Sequence, residues 1–188
     1  MTSWVGARPA PRSAVATLRW AGRQAVMPLL AVAVIVVSSD IRMPIGLPGH
    51  RGLVWLTVLV AVAVATPRRL TVVAVGAAST IATFAAHLSP GTGSARYLAA
   101  AILLYAVAST AAVRRRRWLI VLAAAPIHLV ALADSLAVLL GRAGMVEKGL
   151  FHLGFGLAAG LLGWAIGSAS TGVRRHRDIR DGTDERTQ

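Results

Sequence analysis

Cysteine is absent from the 188 residues, which removes disulfides, thiol nucleophiles and Cys-ligated zinc or iron–sulfur centres together. Charge is scarce at 14% of the chain, where a soluble domain carries roughly 25%, so there is too little to cover a surface facing water. Carboxylates are scarcer still, with seven Asp+Glu against twenty Lys+Arg. The resulting +13 does not describe a nucleic-acid binder, because the cations form short clusters between long apolar runs and no basic helix or groove. H-E-x-x-H, G-x-S-x-G and the P-loop are all missing, so the signatures of zinc hydrolases, serine hydrolases and ATP hydrolysis are not there. No two histidines stand at i, i+3 or i, i+4, the spacing that places a pair of metal ligands on one helix. No enzyme activity, cofactor or metal centre is expected.

What fills the chain is apolar residues, 56% of the total. Marking the charges leaves six apolar segments, about 25–39, 53–66, 70–88, 97–113, 118–141 and 149–171. A helix needs about 20 such residues to cross a hydrocarbon core of about 30 Å, so the first two are short and need flanking residues, tilt or local thinning. The runs are rich in Ala, Leu and Val without period-two alternation, which argues for helices and against a barrel. The sequence therefore predicts an all-α integral membrane protein of the cell membrane, a multi-pass bundle of six transmembrane helices. Fifteen of the cations (Arg8, Arg12, Arg19, Arg23, Arg68, Arg69, Arg114 to Arg117, and those from Arg174 onward) fall on one side and five on the other. Since cytoplasmic loops are enriched in Lys and Arg, both termini are expected in the cytoplasm. Residues 1–22 and 173–188 read as basic and charged cytoplasmic tails around a membrane domain at 23–172.

Several residues exceed what a plain bundle needs. The first outer loop, Asp40 to Gly52, interleaves Ile41, Met43, Ile45 and Leu47 with two prolines and three glycines. The breakers forbid a regular helix, yet the segment is apolar enough to dip over the bundle. Asp134 sits deep in the fifth segment, where a carboxylate costs about 2.5–3.5 kcal/mol and so demands a partner. His50, Arg51, His87, Glu147 and His152 map to the same outer half, either lining an outward-facing pocket or simply marking the water interface. His128 lies nearer mid-membrane and on a different face from Asp134. Phe84 and Phe155 are candidate pocket walls, while Trp20, Trp55, Tyr97 and Trp118 suit an interfacial belt. On the last segment Gly149, Gly156, Gly160, Gly163 and Gly167 align along one stripe that admits close approach of another helix.

Six helices with short early spans, a Pro/Gly-rich first outer loop, a Gly-rich last helix and the strings Leu47-Pro48-Gly49-His50-Arg51-Gly52 and His152-Leu153-Gly154-Phe155-Gly156 together resemble the substrate-binding membrane subunit of energy-coupling-factor vitamin transporters. The resemblance covers residues 25–171. It implies a small-molecule pocket under the first outer loop, with Asp134, His152, His50, Arg51, Phe84 and Phe155 as its candidate residues. It also implies a transmembrane coupling protein and cytoplasmic ATPases as partners, alongside the lipid bilayer and with no nucleic acid. The other reading of the same residues is a structural or assembly subunit whose polar groups only anchor helix ends.

Overall fold

Ala, Leu and Val dominate each apolar run, and prolines punctuate the chain at positions that leave room for regular helices between them. The computed structural model describes residues 14–40, 50–87, 92–132 and 145–184, and every element among them is helical. The helices are α1 (Ala14–Asp40), α2 (His50–Ala65), α3 (Leu70–His87), α4 (Ala95–Ser109), α5 (Ala111–Arg115), α6 (Leu119–His128) and α7 (Met145–Asp184). Short 3₁₀ turns precede α4 at Thr92–Ser94 and follow α6 at Leu129–Leu132.

Among the described residues one helical stretch, Val146–Gly172 within α7, is long and apolar enough to cross a membrane. Five shorter apolar helices accompany it: Ala25–Ser39, Gly52–Ala65, Leu70–Ala86, Ala95–Ser109 and Leu119–Leu132. At a rise of about 1.5 Å per residue, the sixteen residues of α2 cover about 24 Å.

Residues 14–22 and 173–184, assigned by the sequence to the two charged tails, are continuous helix with α1 and α7. Ala14–Arg23 is built mainly from residues that favour helices, and no proline follows Pro126 to stop α7. The fourth apolar run, read as unbroken from 97 to 113, is interrupted at Thr110, whose backbone is extended at φ −68°, ψ 149°. The Thr110 hydroxyl donates to Val107 O at 2.7 Å and accepts from Val113 N–H at 3.4 Å. One side chain thus closes α4 and caps α5, an alternative to helix continuation that hydroxyl residues offer.

α2 is the axis of the assembly. It packs against α7 above all, and also against α1, α3, α4 and α6, and Trp55, Leu56, Leu59, Val60, Ala61, Val62 and Ala65 are buried along it. The remaining core comes from Ile35 of α1, Val72 and Val75 of α3, Tyr97, Ala100, Ala101 and Leu104 of α4, and Ile120, Ala124 and Ile127 of α6. Facing outward are Leu29, Leu30 and Val37 of α1, Ile81 and Phe84 of α3, Ile102 of α4, Leu122 of α6, and Leu150, Leu161, Leu162 and Ile166 of α7. An apolar exterior of this extent is unlike the small patches typical of a monomeric soluble protein.

Close contacts fix the register. A Cβ at Gly156 would stand 2.7 Å from Ala125 Cα, and one at Gly160 would stand 2.8 Å from Val121 O. Each step of four forward along α7 is therefore matched by a step back along α6, so the two are antiparallel. A Cβ at Gly163 would meet Thr57 O at 2.5 Å, and one at Gly167 would meet Val64 Cβ at 2.7 Å, which sets α7 parallel to α2. Gly149, placed on the same stripe by its spacing, has nothing within 4 Å. On the other side of the bundle Gly76 abuts Tyr97 O, and Thr80 Oγ1 donates to Ser94 O at 3.0 Å, so α3 and α4 are antiparallel.

Candidate functional site: a buried histidine pair

These directions gather the start of α2, the start of α4, the end of α6 and the start of α7 at one end of the bundle. The exposed arginines Arg68, Arg69 and Arg114 to Arg117 occupy the loops at the other end. Where α6 meets α7 at the first end, the rings of His128 and His152 lie 5.1 Å apart between centroids, tilted by 54°. Both residues are buried.

His128 Nδ1 lies 2.9 Å from the backbone carbonyl oxygen of His152. A carbonyl only accepts, so Nδ1 carries the proton and Nε2 of the neutral ring presents a lone pair. Among the described residues that Nε2 has no hydrogen-bond partner, and neither does Nδ1 of His152. Buried polar atoms are paired in the great majority of cases, which makes two orphans on facing rings a notable departure. Gly52 admits the His128 ring, since a Cβ there would overlap Nε2.

Aromatic contacts extend from the pair toward α4. Trp55 meets the His128 ring edge-on at 5.9 Å, and Tyr97 meets Trp55 edge-on at 5.7 Å. The Arg96 guanidinium carbon sits 5.1 Å from the centre of the Tyr97 ring, and one of its terminal nitrogens donates to the Tyr97 hydroxyl at 3.1 Å. Arg96 Nε is buried and unpaired. The arrangement offers lone-pair nitrogen, a cation and edge-on aromatic rings. No group of three or more His, Cys, Asp or Glu capable of holding a metal occurs among the described residues.

The candidate residues from the sequence are distributed unevenly. His152 belongs to this cluster. Phe155 instead lines an open groove of about 540 Å³ along α7 with Glu147, Leu150, Phe151, Gly154 and Ala158. Phe84 is 52% exposed on α3, a helix packed chiefly on α4 and α1. Asp134 and the loop segment 41–49 lie outside the described residues, and so do the side chains of His50 and Arg51, which open α2. Reasoning by spacing within single helices separated His128 from the outer polar set. The signal that reunites it is the antiparallel register of α6 and α7, in which 128 pairs with 152 as 125 pairs with 156.

No protein family matches the chain, no curated protein is similar to it, and no solved structure matches it.

Proposed function

We propose that the chain is a six-helix, multi-pass protein of the cell membrane, with both termini in the cytoplasm, that binds a small molecule at its arginine-poor outer end. The observation that carries this reading is the pair of buried, partnerless nitrogens, His128 Nε2 and His152 Nδ1. An unsatisfied buried group costs about 1–3 kcal/mol, and a ligand that supplies a donor to Nε2 relieves it. The apolar exterior and the concentration of arginines at the end away from the histidine pair support the membrane placement.

Within this reading the chain acts as the substrate-binding subunit of a vitamin-type transporter, the role implied by its resemblance to energy-coupling-factor proteins. A transmembrane coupling protein and cytoplasmic ATPases then supply the energy, since the chain has no P-loop of its own. Asp134 and the first outer loop remain candidates for completing the site.

The test is a thermal-shift screen of the detergent-solubilised protein against vitamins, run beside His128→Phe. A compound that stabilises the parent and leaves His128→Phe unmoved is expected. If every stabilising compound acts equally on both proteins, the histidine pair is not the site.

The exposed apolar face of α7, with its groove, favours a second reading, an assembly subunit that docks another membrane protein. Under that reading Leu157→Arg on this face abolishes complex formation while ligand screening finds nothing.

A further inference from the structure

Between Asp40 and Asp134 the sequence contains no Asp or Glu, yet it includes Arg68, Arg69 and the run Arg114 to Arg117. The antiparallel packing of α3 on α4 puts both groups at the same end of the bundle, because the start of α3 lies at the level of the end of α4. The break at Thr110 and the end of α5 at Arg116 (φ −132°, ψ 85°) spread the arginine run over a short helix and a turn, where it cannot stack on one helical face. All six arginines are exposed, and among the described residues none of Arg69, Arg114, Arg115, Arg116 and Arg117 pairs with a carboxylate. Five exposed arginines that pair with no described carboxylate draw anions from their surroundings.

The flanking residues say which anions. Each arginine group passes directly into exposed apolar side chains: Arg69 into Leu70, 65% exposed, and Arg117 into Trp118 and Leu122, 47% and 53% exposed. Charge, then indole, then aliphatic carbon is the order met on moving from phosphate to acyl chain across a bilayer surface. A free phosphate in solution makes no use of the apolar part. We infer that this end of the bundle is a binding site for anionic phospholipid headgroups, with Arg69 and Arg114 to Arg117 on the phosphates and Trp118, Leu70 and Leu122 against the glycerol and upper acyl region. The inference rests on the multi-pass reading for the leaflet it assigns, the cytoplasmic one, while headgroup selectivity is measurable without it.

The full chain in mixed micelles would be titrated with phosphatidylglycerol or phosphatidylcholine while its thermal midpoint is followed. Phosphatidylglycerol should act at concentrations roughly tenfold lower or better, given several arginines near one surface, and the advantage should shrink in 0.5 M salt. Inorganic phosphate at matched concentration should not reproduce it. Replacing Arg114 to Arg117 together by Gln should bring phosphatidylglycerol down to the phosphatidylcholine level, while replacement by Lys should keep most of the preference. Pairs such as Arg116→Gln with Arg117→Gln give an intermediate result if the fourfold change impairs folding, and Lys148→Gln, at the opposite end, should change nothing. Equal action of the two lipids on the parent, a preference that survives the Gln series, or full reproduction by phosphate overturns the site. If Arg115→Cys is labelled from outside the cell while the lipid preference holds, the assigned leaflet is wrong and the headgroup site stands.

Discussion

His128 donates its Nδ1 proton to the backbone carbonyl of His152, at 2.9 Å, and not to the His152 ring. The bond therefore survives any change to the His152 side chain and is lost with any change that removes the His128 imidazole. Trp55 and Gly52 also lean on that ring.

The first prediction follows from this asymmetry. His128→Ala should lower stability by about 2–4 kcal/mol, since it empties a packed volume beneath Trp55 and deletes the bond. His152→Ala keeps the bond and should cost clearly less. Thermal or denaturant unfolding of the two variants in the same detergent would show the order, and a larger loss for His152→Ala would contradict it.

Gly52 gives the second. A methyl there collides with His128 Nε2, so Gly52→Ala should destabilise by about 1–3 kcal/mol, as overpacking does. Combining it with His128→Ala should recover much of the loss, giving a large interaction energy in a double-mutant cycle. Simple additivity would mean that the two residues do not touch.

The glycine stripe gives the third. Gly156→Ala and Gly163→Ala each press a methyl on backbone atoms of a neighbouring helix, with no flexible side chain to yield, and both should lower the melting temperature. Gly149→Ala and Gly154→Ala meet nothing within 4 Å and should be neutral, or stabilising by up to about 1 kcal/mol through helix propensity. Equal effects at all four positions would show that the stripe is not an interface.

The fourth concerns topology. The parent has no cysteine, so single cysteines report their side of the membrane without background. Cysteines at Arg69, Arg115 and Ser170 should be shielded from an impermeant reagent in intact cells, whereas one at Glu147 should be labelled. Labelling at Arg115 from outside would reverse the orientation.

How far the sequence foretold these features varies with the kind of information each one needs. Apolar runs located the helices Ala25–Ser39, Gly52–Ala65, Leu70–Ala86, Ala95–Ser109 and Val146–Gly172 to within a few residues, and the start of Leu119–Leu132, because composition decides such segments; the rest of the fifth run, 133–141, lies outside the described residues. The end of α4 was missed because Ser109 and Thr110 carry neither proline nor glycine, and it takes a hydroxyl pairing with both Val107 and Val113 to break the helix there. The spacing of Gly156, Gly160, Gly163 and Gly167 marked a packing face, but not that its first half meets α6 and its second half α2. Gly149 continues the pattern without a partner. The histidine pair was hidden because its members lie on different helices, and spacing along either one is silent about register between them.

The division of that stripe has a consequence for the order in which the molecule is completed. α7 follows α2 and α6 in the chain, and it is the element that wedges against both. Until it arrives, the carbonyl that receives the His128 proton does not yet exist, and the grooves at Val121–Ala125 and Thr57–Val64 have no helix to fill them. The N-terminal part of the bundle must therefore wait as an open assembly, with its central helix and a buried imidazole uncovered. A chain interrupted before Met145 would leave both uncovered, so arrival of α7 is the step that closes the bundle.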